Sequence, residues 1–193
     1  MSRVRTFIAV DVGEAIVEKA VALQSQLAHC GAEVKWVSAE AMHVTLLFLG
    51  EVEDRDIVRV CRTVQKAASQ MPEFSLRVGG VGAFPNPRRP KVVWAGITNG
   101  ADELRALFKL IEEPMLEMGV YRQEERDYTP HLTLGRMRGE ADGQLIAAEL
   151  PKHIAWDGGR TIASEVLVMS SDLRKAGPEY AVMGRSKLAH GEV

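Results

Sequence analysis

Cysteine is scarce in this 193-residue chain: there are two, Cys30 and Cys61, in helix-like segments without metal-binding spacing. Reduced thiols in a cytoplasmic setting are therefore expected, rather than a disulfide framework. Long apolar runs are also missing. The run Thr6-Phe7-Ile8-Ala9-Val10 ends at Asp11, too short for a signal-peptide core and far too short to span a membrane. Strong net charge is lacking too, since 24 Lys and Arg against 26 Asp and Glu leave −2. No global basic field draws the chain to nucleic acid, so a phosphate-bearing substrate needs local cations. Arg88, Arg89 and Lys91 form one candidate cluster, and Arg122, Arg126, Arg136 and Arg138 another, although either could be solvated loop surface. Several chemistries lack their signatures. There is no His-Glu-x-x-His or Cys-x-x-Cys for a metal, no Gly-x-Ser-x-Gly elbow, no Gly-Lys-Ser/Thr phosphate loop and no Lys-x-Asp-Gly of an ATP-dependent nucleotidyl-transfer ligase.

What is present suffices for a folded protein: 46% of residues are hydrophobic and 26% charged, the balance of a globular chain with a real core. Residues 1–193 read as one domain, or as two small lobes sharing a groove. The apolar run 6–10 suits a buried strand. Ile16, Val17, Ala20, Leu23 and Leu27 recur at helical spacing over 14–28, with Gly31 placed to end the segment. Val34 to Val37 leads into a strand over 42–49. A second helix follows, with Asp54 as a possible cap and Ile57, Val58, Cys61, Val64 and Ala68 as its stripe. Phe74, Leu76 and Val78 alternate as in a half-buried strand, and 79–90 reads as a glycine- and proline-rich connection carrying Phe84 and Arg88, two candidate substrate contacts. A strand over 91–97 precedes a helix over 101–118, in which Pro114 should cause a kink or a split. Strands are expected over 128–134, 153–156, 162–170 and 180–186, a short helix over 144–150, and fraying at the C-terminus.

One pattern is written twice: His43-Val44-Thr45-Leu46 and His131-Leu132-Thr133-Leu134. A lone histidine on a half-buried strand is usually structural, but here two of five histidines carry threonine two residues on, inside strand-like runs. Residues two apart on a strand share a face, so His43 and Thr45 should look into a cleft while Val44, Leu46 and Phe48 face the core. In the second copy Leu132 and Leu134 take the core side. Paired imidazoles suit in-line phosphoryl transfer, one accepting a proton and the other donating one, with the threonine hydroxyls holding the phosphate oxygens. Such a scheme needs no metal. The order of elements gives an α+β class, and the repeat suggests a bilobal, pseudo-twofold fold with two antiparallel sheets flanked by helices and a central cleft.

At these residues the chain resembles the 2H phosphoesterase superfamily, and within it the RNA 2′,3′-cyclic phosphodiesterases, also called 2′-5′ RNA ligases. The likeness extends to the opening strand Arg5–Asp11, the block from Trp36 to Val52, the segment Gly82–Trp94 and the run Pro130–Arg136. The resemblance implies hydrolysis of terminal RNA 2′,3′-cyclic phosphates to 2′-phosphates without metal or nucleotide cofactor. By motif position His43 would be the proton donor and His131 the proton acceptor, with Thr45 and Thr133 on the phosphate. Arg136 matches the second block, yet it lies five residues from His131 and so on the opposite face unless the strand ends or bulges. The implied partner is an RNA with a 2′,3′-cyclic phosphate end, tRNA-like or small. No membrane partner is expected, and the protein should be a monomer. Action on a small cyclic nucleotide or an ADP-ribose cyclic phosphate would leave both motifs unchanged, and an RNA-end binding module without chemistry is a reading of another class.

Overall fold

In the computed structural model, which describes residues 2–123, 126–174 and 177–190, strands and helices follow the hydrophobic periodicities closely. The chain runs β1 (Arg3–Val10), α1 (Glu14–Ala28), β2 (Val34–Trp36), β3 (Val44–Glu53), α2 (Asp54–Ala68), β4 (Phe74–Phe84) and β5 (Val92–Asn99). It continues with α3 (Ala101–Glu117), β6 (His131–Met137), α4 (Glu140–Glu149), β7 (Asp157–Ala163), β8 (Glu165–Arg174) and β9 (Gly177–Lys187). The sheet order is β7-β4-β5-β6-β3-β1-β8-β9, with β2 also on β6. The named strands pair antiparallel throughout. Helices α1, α2 and α3 bury Leu23 and Leu27, Val60 and Val64, and Leu107 and Ile111 in one core with Val44 and Leu132 of the sheet.

The α+β architecture holds, with the two expected antiparallel sheets joined edge to edge into one continuous sheet whose halves meet at a narrow seam. β3 and β6 share one residue pair, Val44 opposite Leu132. To one side of it β6 pairs with β2 instead, Trp36 opposite Gly135. To the other, the Tyr128 hydroxyl donates to the Thr45 carbonyl at 2.9 Å. The two motif strands therefore diverge from a single pair, which opens a groove between the halves.

Several element boundaries differ from the sequence expectation, each for a physical reason. The segment 79–84 is strand rather than loop: Gly80 takes a left-handed φ of 67° at an irregularity in the β4–β5 register, and Gly82 lets the indole of Trp94 lie flat on β4. A Cβ at Gly82 would stand 2.2 Å from that ring. The connection shrinks to residues 85–91, closed by Lys91 N–H donating to the Phe84 carbonyl at 2.7 Å. In α2 the buried stripe is Val60, Val64, Ala67 and Ala68, while Val58 is 58% exposed. Ile57 and Cys61 of the expected stripe are half-buried against the same core, with Cys61 against Gly184 of β9, so Val58 is the one member of that stripe turned to the surface. Glu53, not Asp54, precedes its first turn, without a side-chain cap. Pro114 neither splits nor ends α3, because it enters the last turn, where Ile111 and Met115 are buried on either side. Residues 153–156, expected as a strand, instead close a 3₁₀ turn over 150–153 and continue as a turn, and 162–170 is two strands broken at Ser164. The second motif strand starts at His131, since Pro130 has no N–H to pair. The last residues, expected to fray, lie outside the described residues.

Candidate active site

The seam pair sets the site. Val44 and Leu132 are fully buried, so the residues flanking each of them point away from the core. Antiparallel pairing then sets His43 across from Thr133 and Thr45 across from His131. The four side chains form one patch with a local twofold axis through the Val44–Leu132 pair, as the duplicated motif requires.

The twofold relation extends to the hydrogen bonds of the imidazoles. His131 Nδ1 lies 2.7 Å from the Thr129 carbonyl. A carbonyl can only accept, so Nδ1 carries the hydrogen and Nε2 keeps a free lone pair. The Ala41 carbonyl, also two residues back, accepts a ring N–H of His43. Burial outweighs these bonds. It brings His43 down from 6.5 to about 4, against the opposing effects of the Ala41 bond and the Asp11 carboxylate. Burial lowers His131 too, against the Thr129 bond, and the Arg136 cation lowers it further. Both imidazoles are neutral in the free protein at neutral pH. Aromatic rings hold them in place: Phe7 stacks on His43 at 4.8 Å with Tyr180 edge-on at 5.5 Å, and Phe84 meets His131 edge-on at 4.9 Å with Trp94 at 6.0 Å.

Each motif strand also carries a one-residue bulge at the same place. In β3, Thr45 pairs with Ala9 and Leu47 with Ile8, leaving Leu46 unpaired. In β6, Thr133 pairs with Trp94 and Gly135 with Val93, leaving Leu134 unpaired. A bulge reverses the facing of everything beyond it. Leu46 and Leu47 are consequently both buried, and Phe48, expected in the core, is 53% exposed on the cleft side. For the same reason Arg136 turns into the cleft with His131 and Thr133. Phe48 and Arg136 are thus twofold equivalents, three residues beyond their threonines. Gln24 of α1 clamps the second bulge: its buried amide donates to the Leu134 carbonyl at 2.9 Å and to the Val37 carbonyl at 2.8 Å.

Comparison with known proteins identifies the family. A family model described as LigT like Phosphoesterase matches residues 10–94, which include His43 and Thr45 but stop short of His131. The curated RNA 2′,3′-cyclic phosphodiesterase of Methanothermobacter thermautotrophicus is 34% identical over 181 residues, 94% of this chain and 97% of the relative, and so reaches across both motifs. The one of Thermotoga maritima is 32% identical, covering 93% and 92% of the two chains. This chain belongs to the LigT-like phosphoesterases of the 2H superfamily. Solved structures agree on the fold. A Thermus thermophilus protein superposes with a TM-score of 0.81 at 24% identity, over 97% of this chain and all of the other. E. coli LigT complexed with 3′-AMP superposes at 0.77 and 22%, over 97% and 99%.

In this LigT-like phosphoesterase the groove divides about Thr45, Thr133, Phe48 and Arg136. On the His131 side is a cavity of about 360 Å³ walled by Phe84, Phe108, Tyr121 and Tyr128, with Arg126 at its margin. On the His43 side are spaces of about 230 and 440 Å³ that meet at Tyr180 and take in Lys35 and Arg5. Of the residues singled out in the sequence, His43, His131, Thr45, Thr133, Arg136 and Phe84 come together here. Arg88 does not: it lies in a separate groove with Arg89, Lys91 and Arg138. Nothing in the sequence marked Phe7 or Tyr180, whose positions depend on β1 and β9 flanking the seam. Gln24 left a trace, as the one polar residue in the phase of the buried α1 stripe. Among the described residues no three His, Cys, Asp or Glu side chains cluster so as to hold a metal, and no helix is long and apolar enough to cross a membrane.

Proposed function

We propose that the protein opens 2′,3′-cyclic phosphate ends of RNA to 2′-phosphomonoesters by paired-histidine acid–base catalysis, without a metal or nucleotide cofactor. The observation that carries this reading is the cross-strand patch of two histidines and two threonines at a single-pair seam. Full-length relatives named RNA 2′,3′-cyclic phosphodiesterase support the substrate.

Phosphorus is placed over the seam, with the Thr45 and Thr133 hydroxyls donating to its non-bridging oxygens and Arg136 adding a cation. His131, held with Nε2 free, takes a proton from water as it attacks in line. The bond from phosphorus to O3′ breaks, and His43 gives its proton to O3′. Two imidazoles neutral in the free protein cannot begin this cycle, so one proton has to enter with the substrate. A unit negative charge ~4 Å away at an effective dielectric of about 20 is worth about 4 kcal/mol, on the order of a thousandfold in protonation. That is comparable with the depression of His43 from 6.5 to about 4. The charges around the patch favour His43 as the acid. Asp11 favours its imidazolium, and Arg136 disfavours that of His131, while deeper burial of His43 works in the opposite direction. With a ribose 5′-hydroxyl in place of water, the same sequence of steps would make a 2′-5′ bond.

The test is incubation with a short RNA ending in a 2′,3′-cyclic phosphate, and with the corresponding cyclic mononucleotide, followed by phosphorus NMR of the product. A 2′-phosphate, unaffected by chelator, is expected. A predominant 3′-phosphate would reverse the acid and base roles. Loss of activity with chelator, restored by one divalent ion, would exclude the metal-independent route. Binding of the RNA end with no turnover would make the protein a binding module.

A further inference from the structure

The histidines, the threonines and Arg136 account for the seam, but one polar group beside them has no task. Tyr180 stands edge-on to His43, with ring centroids 5.5 Å apart, and edge-on to Phe7 at 5.0 Å. It is half-buried where the two spaces on the His43 side meet. Among the described residues nothing accepts a hydrogen bond from its hydroxyl, whereas Tyr128 commits its own to the Thr45 carbonyl. No carboxylate is among the linings of the two spaces, and the Arg5 and Arg136 guanidiniums line one of them together with the phenol. Burial raises the phenol above its ordinary value, against the pull of those two cations, so the hydroxyl keeps its proton at neutral pH. His131 also has an edge-on ring, at 4.9 Å, but it is Phe84 and carries no hydroxyl. Of the two edge-on rings, only the one beside His43 is a donor.

In-line displacement puts the attacking and the leaving oxygen on opposite faces of phosphorus. With His131 activating water and His43 protonating O3′, O3′ departs on the His43 side, which is also the side of Tyr180. The threonines rise from the motif strands to the non-bridging oxygens, so the oxygen left facing Tyr180 is O3′. We infer that Tyr180 is a further catalytic residue, whose hydroxyl donates a hydrogen bond to O3′ as the bond to phosphorus breaks. The inference rests on the cleft being the site of cyclic phosphate opening with His43 as the acid. The electron pair of the breaking bond passes to O3′ while the water oxygen completes its bond to phosphorus. His131 takes the water proton, His43 gives its own to O3′, and Tyr180 keeps its proton throughout. Negative charge grows on O3′ before the His43 proton has fully crossed, and a donor already aimed there stabilises that moment more than the ground state. Such help matters here, because an imidazole brought down to about 4 is hard to keep charged.

The experiment uses Tyr180→Phe, which keeps the ring against Phe7 and His43 and removes only the hydroxyl, with thermal unfolding confirming that the packing is unchanged. On adenosine 2′,3′-cyclic phosphate its kcat/KM should fall about ten- to a hundredfold, the worth of a hydrogen bond to a charged oxygen. The deciding substrate is the analogue with sulfur in place of O3′. A thiol ionises at about pH 8.5, far below a sugar hydroxyl, so the sulfur leaves as thiolate and needs no donor. On that analogue wild type and variant should turn over at the same rate. Full activity of the variant on the oxygen substrate would overturn the inference. So would an equal loss on the oxygen and sulfur substrates, which would put the hydroxyl on the phosphate rather than on the leaving oxygen. Calorimetric binding tests the contact without the chemistry, using adenosine 2′-phosphate, which keeps the 3′-hydroxyl, and its 3′-deoxy analogue. The variant should bind the first more weakly than wild type does and the second equally well. If the cleft opened no cyclic phosphate, that difference would still place the hydroxyl against the 3′ oxygen, and equal binding of both ligands by the two proteins would refute it.

Discussion

Burial of His43 makes folding stability depend on pH in a way that can be separated from every other group. Its folded-state value of about 4 lies below the ordinary 6.5, so between those limits the unfolded chain binds the proton more readily. Stability from this group is therefore complete above about pH 6.5 and is lost as pH falls towards 4. Over the full window the loss is about 3 kcal/mol, and between pH 7 and pH 5, where most carboxylates stay ionised, it is about 2 kcal/mol. His131 is depressed in the same direction and adds to the wild-type slope. The clean comparison is with His43→Gln, which does not titrate and can still offer an N–H to the Ala41 carbonyl. Urea unfolding at pH 7 and pH 5 should show wild type losing about 2 kcal/mol more than the variant, with equal m-values. Parallel losses in the two proteins would mean that His43 titrates normally, so that the imidazole is solvated rather than packed between Phe7 and Tyr180. The same measurement with a bound phosphate anion should flatten the wild-type curve, because the anion stabilises the imidazolium.

Three further outcomes follow from the geometry. Thr45→Val and Thr133→Val should each cost about ten- to a hundredfold in kcat/KM, the worth of a hydrogen bond to a charged group, whereas Thr→Ser should cost far less; near-full activity in the valine variants would make the threonines packing residues. Arg136→Met keeps the length of the side chain and removes its charge, so kcat/KM for a cyclic phosphate should fall at least tenfold and the lower limb of its pH profile should move to higher pH as His131 becomes easier to protonate. An unmoved limb would show that Arg136 does not act on His131. Gln24→Leu leaves the Leu134 carbonyl with the Val37 N–H as its remaining partner and should cost about 1–3 kcal/mol in urea unfolding, together with activity as the bulge that aims Arg136 relaxes. Loss of stability with full activity would show that the bulge holds without its clamp.

Alternation along a strand and spacing along a helix are local properties, and the sequence alone determined what depends on them. His43 and Thr45 share a face because side chains alternate, and so do His131 and Thr133. The stripes of α1 and α3 bury the residues their period selects, with Leu23, Leu27, Leu104, Leu107 and Ile111 all in the core. The duplicated motif itself pointed to a twofold patch and an acid–base pair. Tertiary structure decided which strands meet and where their ladders slip. The bulges at Leu46 and Leu134 exist only against β1 and β5, and they move Phe48 out of the core and Arg136 into the cleft, the placement that simple alternation forbids. Gly79 to Phe84 resemble a loop until the Trp94 indole is laid across Gly82. Arg88 is near Phe84 in sequence, yet the 85–91 turn carries it into another groove. Tyr180 reaches His43 from a strand more than a hundred residues away, because β9 folds back on β8 beside β1. A side chain's facing is set by its own strand up to the first bulge; beyond that, the partner strand sets it.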